Sequence, residues 1–69
     1  MFQNLNAEMG REKLTIKNLA EVSNINYESL KLKLRGVTEF KRSEMVAIKK
    51  SAFPDKTLDY LFQTDNFED

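Results

Sequence analysis

The side chains of this 69-residue sequence that could do chemistry are mainly basic, and most of them lie between residues 31 and 50. That segment has seven Lys or Arg against two Glu (+5). Residues 1–30 have three basic against four acidic side chains (−1), and residues 51–69 have one against five (−4), so the chain is neutral overall. A basic segment between acidic flanks is typical of a partner-binding surface, although a solvated helix face can show the same pattern. Nucleic-acid-binding domains are usually basic as a whole, so charge alone leaves the partner open.

Several kinds of chemistry are excluded by residues that the sequence lacks. It contains no Cys and no His, which rules out disulfides, zinc fingers, thiol nucleophiles and histidine acid–base catalysis. It has no glycine-rich phosphate loop, carboxylate pair or metal-ligand cluster. We therefore predict a protein that is not an enzyme and uses no cofactor, metal or small-molecule ligand. No apolar run reaches the roughly 18 residues of a membrane span and no signal peptide is recognisable, which predicts a soluble, cytoplasmic protein.

Apolar residues at helical spacing predict an all-α fold, a compact bundle of about five short helices. The first helix is expected over about 3–12, the second behind the N-cap Thr15, and the third from Tyr27 to about Arg35, closed by Gly36. A fourth helix is expected between a loop at 37–41 and the break that Pro54 imposes. A last short helix follows Thr57. Residues 1–62 are expected to form one domain, and residues 63–69 an acidic tail.

Residues 29–34 also allow a strand, because apolar and polar side chains alternate there with period two. We favour a helix, since Leu and Lys are strong helix formers with low strand preference. A helix leaves Leu32 pointing outward.

The segment Thr15–Gly36 has the features of a helix-turn-helix. Two short helices are separated by only a few residues, a small residue lets them cross closely, and the turn holds a residue that tolerates positive φ. An apolar residue lies under the turn, and further apolar residues anchor both helices to the core. The residues of this motif core are Leu19, Ala20, Asn24, Ile25, Leu30 and Leu34.

With these residues the chain resembles the small Cro and lambda-repressor-like helix-turn-helix regulators of phages, in particular those of Gram-positive phages and prophages. The resemblance covers about residues 4–62. It is carried by Thr15–Glu21, Ile25–Leu30, Lys33–Gly36, Phe40–Glu44 and Leu58–Phe62. Two positions depart from the family pattern: Asn24 stands where the family prefers Gly, and Lys33 stands where many members have an apolar residue.

The resemblance implies which residues would contact DNA. It assigns base reading to Tyr27, Glu28, Lys31 and Leu32. At about 100° per residue, Glu28, Lys31, Leu32 and Arg35 fall on the outward side of the third helix, whereas Tyr27 faces the core or its edge. Lys31 can donate to guanine, Glu28 can accept from cytosine, and Leu32 can pack on a thymine methyl group. Contacts to the DNA backbone are implied for Lys17, Asn26, Ser29, Lys33, Arg35, Lys41 and Arg42.

The function implied is that of a Cro-like transcriptional repressor in the cytoplasm of a bacterial host cell. It would bind a palindromic double-stranded DNA operator as a homodimer, formed in solution or only on DNA, because one such helix reads few base pairs. Candidates for the dimer surface are Tyr60, Phe62 and Phe67. An antitoxin or anti-repressor that binds protein through the same fold is the alternative, favoured by outward Leu32 and the neutral charge. A non-specific nucleoid-type binder is disfavoured, since the Glu28 carboxylate repels phosphate.

Overall fold

Five α-helices are present in the part of the chain that the computed structural model describes, residues 2–63, and no strand occurs there. They are α1 (Gln3–Arg11), α2 (Ile16–Ser23), α3 (Tyr27–Leu34), α4 (Arg42–Ala52) and α5 (Leu58–Leu61). The all-α prediction is confirmed, and residues 29–34 are helical rather than extended. None of the helices within this range is long and apolar enough to pass through a membrane.

Side chains cap the starts of α2, α3 and α5. Thr15 Oγ1 accepts from the Asn18 N–H at 3.0 Å, and the Asn18 side chain accepts in return from the Thr15 N–H at 3.4 Å. Asn26 Oδ1 caps α3, and Thr57 Oγ1 caps α5 through the Tyr60 N–H at 3.1 Å. Each cap accepts a hydrogen bond from a backbone N–H that has no partner within the helix, which stabilises the folded state by about 1 kcal/mol. The caps predicted at Thr15, Asn26 and Thr57 are confirmed.

The ends of α1, α2 and α3 share one backbone arrangement, in which a residue one or two positions after the helix adopts a left-handed conformation. These residues are Lys13 (φ 58°), Asn24 (φ 59°) and Gly36 (φ 85°). The next residue in each case donates its N–H to a carbonyl of the last helical turn: Leu14 to Met9 at 2.8 Å, Ile25 to Ala20 at 2.9 Å, and Val37 to Leu32 at 2.9 Å. This is the Schellman motif, which reverses the chain sharply. Turns were expected at Asn24 and Gly36; at Lys13 no residue type marked one.

Each helix contributes one fully buried aliphatic side chain to a single core. These are Leu5, Leu19, Leu30, Ile48 and Leu61. Met9, Ala20, Leu34 and Phe53 are buried around them. α2 packs against both α3 and α4, while α5 joins α1 to α4. Burial of apolar area at about 25 cal/mol per Å² is the main stabilising contribution of such a core.

Polar contacts between α1 and α5 hold the two ends of the domain together. The Tyr60 hydroxyl donates to Glu8 Oε2 at 2.8 Å, and Asn4 Nδ2 donates to the Tyr60 carbonyl at 2.8 Å. Glu8 is almost completely buried, and Arg11 Nε lies 3.7 Å from its other oxygen. The hydrogen bond to Glu8, together with burial, raises the pKa of Tyr60 above its usual 10.0. Tyr60 thus has a partner within its own chain.

Three aromatic rings pack edge to face beside this contact. The ring centroids of Phe2 and Phe40 are 5.3 Å apart, those of Phe40 and Phe62 5.1 Å, and those of Phe2 and Phe62 5.9 Å. This geometry is favoured by the ring quadrupoles. Like Tyr60, Phe62 therefore has partners within its own chain, and both side chains remain partly exposed; their part in a dimer surface stays a prediction. Phe67, the third dimer candidate, lies outside the described residues.

We predict opposite effects of alanine at the two glycines. Gly10 lies in α1, and a Cβ there meets nothing within 4 Å, so Gly10→Ala should raise the free energy of unfolding by about 0.5–1 kcal/mol. Gly36 also has open space but a φ of +85°, so Gly36→Ala should lower it by about 1 kcal/mol. Urea unfolding followed by circular dichroism measures both. Shifts of the same sign would contradict the left-handed helix end at Gly36.

Candidate nucleic-acid interface

α3 has one buried face and one exposed face. Leu30 and Leu34 are buried in the core. On the other side, Leu32 is 39% exposed and the Glu28 side chain is open to solvent; Tyr27, in the first turn, is 42% exposed. Single exposed apolar side chains are common on protein surfaces, so Leu32 alone does not identify a partner.

α2 approaches the start of α3 closely. Ala20 is buried between the helices, and Ile25, in the turn, packs against the core. The connection is only three residues long, because Asn24 ends α2 and Asn26 already caps α3. A shallow surface groove runs along this junction, with Lys17 from the first turn of α2 and Tyr27 from the first turn of α3 among its lining residues. The structure therefore brings the start of both helices to one surface.

Lys31 is held between two other exposed residues of α3. Its Nζ lies 3.6 Å from Glu28 Oε1 and 5.2 Å from the centre of the Tyr27 ring. Exposed pairs of this kind stabilise a helix by only about 0.2–0.5 kcal/mol, so a stronger partner can displace either contact. The three residues nevertheless form one connected polar and aromatic surface.

Four basic side chains at the start of α2, directly after α3 and at the start of α4 are available to bind an anion. They are exposed and form no ion pair with any carboxylate of residues 2–63: Lys17, Arg35, Lys41 and Arg42. Lys17 lies at the start of α2, Arg35 directly after α3, and the other two at the start of α4. Asn26 and Ser29 also lie near this surface, but the Asn26 side chain accepts from the Ser29 N–H at 3.0 Å. The backbone N–H of Ser29 is therefore already hydrogen-bonded within the chain.

Lys33 forms an ion pair between two helices. Its Nζ donates to Glu44 Oε2 at 2.6 Å, and the two side chains are only 11% and 19% exposed. This ammonium group thus links α3 to α4. A contact of Lys33 with the DNA backbone stays a prediction, and it would compete with the contact to Glu44.

Glu44 connects three parts of the chain. Besides accepting from Lys33, it accepts through Oε1 from the backbone N–H of Lys41 at 2.9 Å, which caps the start of α4. Burial raises the pKa of Glu44, but the hydrogen bonds from Lys33 and Lys41 and the charges of both lysines outweigh it. The pKa is held below its ordinary value of 4.5. Sequence analysis did not select Glu44 as a site residue, because its partner Lys33 is eleven positions away in another helix.

Comparisons with models of protein families, with curated proteins and with solved structures found no match to this chain. Within the described part of the chain, no group of three or more His, Cys, Asp or Glu is arranged to hold a metal ion. Functional interpretation therefore depends on the residues and geometry described above.

The contact between Lys33 and Glu44 should be measurable as stability. Lys33→Met leaves the half-buried Glu44 carboxylate without its cation, so we expect the free energy of unfolding to fall by about 1–2 kcal/mol. The matched control is Lys31→Met in the same helix. It removes only an exposed pair and should cost about 0.5 kcal/mol or less. Urea unfolding checks both, and equal losses would show that the contact to Glu44 is absent in solution.

The depressed pKa of Glu44 predicts a loss of stability in acid. Because the folded state binds the proton less readily than the unfolded state, the contribution of Glu44 is complete above pH 4.5 and disappears as the pH falls through the lower folded pKa. The Gln side chain does not ionise, so the stability of Glu44→Gln does not include this pH-dependent contribution. The gap in unfolding free energy between wild type and Glu44→Gln should therefore be widest near neutral pH and narrow below pH 4.5. A gap independent of pH would contradict the assignment.

Proposed function

We propose that this protein is a sequence-specific DNA-binding transcriptional repressor, in which α2 and α3 act as a helix-turn-helix and α3 enters the major groove. The observation that carries the proposal is the exposed face of α3, with Leu32 on the solvent side, Tyr27 exposed at the first turn, and unpaired basic residues directly after α3 and at the starts of α2 and α4. The close crossing of α2 and α3 at buried Ala20 supports it. So does the left-handed Asn24 in the short turn.

The dimensions of α3 suit this role. An α-helix with its side chains is about 10–12 Å across, which fits the roughly 12 Å width of the major groove, and the eight residues of α3 make two turns that could lie in it. Because Leu30 and Leu34 anchor one side, the residues opposite them would face the base edges. Lys31 would donate to guanine, Glu28 would accept from cytosine, and Leu32 would contact a thymine methyl group.

The surrounding basic residues would position the helix on the duplex. Lys17 lies beside the groove between the two helix starts, Arg35 follows α3, and Lys41 and Arg42 begin α4. Such contacts to phosphate fix register and orientation but do not read sequence. The basic segment would then contribute to affinity locally, although the whole chain is neutral.

A repressor with one short reading helix needs two copies for useful specificity. We propose a homodimer, formed in solution or on DNA, on half-sites about 34–36 Å apart. Tyr60 and Phe62 remain candidates for the dimer contact, although both have partners within the monomer. A Cro-like role in a bacterial host remains part of the proposal on the strength of the sequence resemblance.

Binding to a protein, as an antitoxin or anti-repressor does, is the second candidate. It is favoured by an exposed apolar pair at the end of α3. The Schellman motif brings Val37, which is 62% exposed, next to Leu32. Such a pair could pack on an apolar protein surface as well as on a thymine methyl group.

Selection from a random duplex library near physiological salt tests the proposal. We expect enrichment of a palindrome with half-sites about 10 base pairs apart, and an affinity that falls steeply between about 50 mM and 200 mM salt. Lys31→Ala with Arg35→Ala should weaken binding and reduce the salt slope, whereas Lys50→Ala, an exposed lysine near the far end of α4, should change little. Absence of enrichment at concentrations above about 10⁻⁴ M would favour the protein-binding alternative.

Glu28→Ala tests which face reads the bases. Loss of a carboxylate that repels phosphate should preserve or strengthen binding to random duplexes while lowering the preference for the selected site. If Glu28→Ala changes neither the affinity for random duplexes nor the affinity for the selected site, the base-reading face is not the one proposed.

A further inference from the structure

Glu44 occupies a position from which it can control two groups of DNA contacts at once. Its two carboxylate oxygens accept from different segments: Oε2 from Lys33 on α3, and Oε1 from the backbone of Lys41 at the start of α4. α3 would carry the base-reading residues, and Lys41 and Arg42 would contact phosphate. The Lys33–Glu44–Lys41 contact is therefore a direct polar link between these two groups.

The link bridges helices that make few other contacts. α3 packs chiefly on α2, and α4 also packs chiefly on α2, so α3 and α4 are held mainly through a shared neighbour. The connection between them, residues 35–41, contains no regular secondary structure. A charged hydrogen bond of 2.6 Å at low exposure constrains the separation of two such segments more than an exposed pair does.

We propose that Lys33 and Glu44 are positioning residues for DNA binding: their contact holds the start of α4, with Lys41 and Arg42, at the distance from α3 that allows both to meet one duplex. This inference rests on the proposed function. Neither side chain touches DNA. Lys33 acts through Glu44, and Glu44 acts through the backbone that it caps.

For Glu44→Gln we expect a change in DNA affinity opposite to the one that loss of a negative charge would cause by itself. Removing a negative charge from a DNA-binding surface ordinarily strengthens binding, because less phosphate repulsion remains. If Glu44 merely occupied Lys33, Glu44→Gln would also release a lysine for phosphate. If Glu44 positions Lys41 and Arg42, Glu44→Gln should instead weaken binding, by about tenfold for two misplaced contacts. The slope of log affinity against log salt should become shallower by about 1.8, at 0.9 per phosphate contact.

The experiment measures the affinity of the full chain for its selected duplex, or for a random duplex if none is enriched, over a range of salt concentrations. The variants are Glu44→Gln, Lys33→Met and Lys33→Arg, with Lys50→Met as the control. Circular dichroism gives the folded fraction of each variant, and affinities are corrected to it. Lys33→Arg keeps the cation and should retain most of the affinity, whereas Lys33→Met should behave like Glu44→Gln.

A double-mutant cycle with Arg42→Ala separates positioning from general stabilisation. If the contact acts by placing Arg42, Glu44→Gln should cost much less affinity when Arg42 is already absent, and the two losses should not add. Additive losses, or a corrected affinity that is unchanged or stronger in Glu44→Gln, would overturn the inference while leaving DNA binding intact. A wild-type chain that binds no duplex would overturn the proposed function and the inference together.

Discussion

Burial of Leu30 and Leu34 is the constraint on which the candidate interface depends. These two residues lie one helical turn apart, so α3 can bury both only when its axis lies along the core and one side points inward. Once that side is fixed, Glu28 and Leu32 on the opposite side must face solvent, while Tyr27, which lies on the same side of the helix as Leu30, is 42% exposed at the first turn. The surface proposed to read DNA is thus a direct consequence of hydrophobic packing. It would be lost if the helix rotated to bury Leu32 instead.

The second constraint is electrostatic and joins elements that the core alone does not hold together. A small domain buries a modest share of its surface, and α3 and α4 both pack mainly against α2. The Lys33–Glu44 contact adds a polar connection where apolar burial is thin. It also explains how a lysine can be largely buried at this position of α3. The ammonium group is satisfied by a carboxylate that simultaneously caps α4.

The helix ends show how far local sequence rules extend. Asn24 and Gly36 are residue types that adopt a left-handed conformation readily, and both were expected to end helices there. Lys13 adopts almost the same conformation as Asn24 without any such preference. Its φ is imposed by the need to bring Leu14 back against the core. The C-terminal aromatic residues show the same limit. Tyr60 and Phe62 looked free for a second chain, but Glu8 and the rings of Phe2 and Phe40 are their partners.

The amino-acid sequence by itself was sufficient to predict the helical fold class, the number of helices, their capping residues and the inward side of α3. These follow from periodicity and from local hydrogen bonding, which act over a few residues. Only the tertiary structure decided what Lys33, Glu44, Tyr60 and Phe62 contact. Apart from the Lys41 backbone that Glu44 caps, the partners cited are from 11 to 60 positions away in sequence, and such pairings depend on how helices pack, which no local pattern encodes. Charge shows the same division: the basic segment is visible in the sequence, but which of its lysines is neutralised by a neighbour depends on the fold.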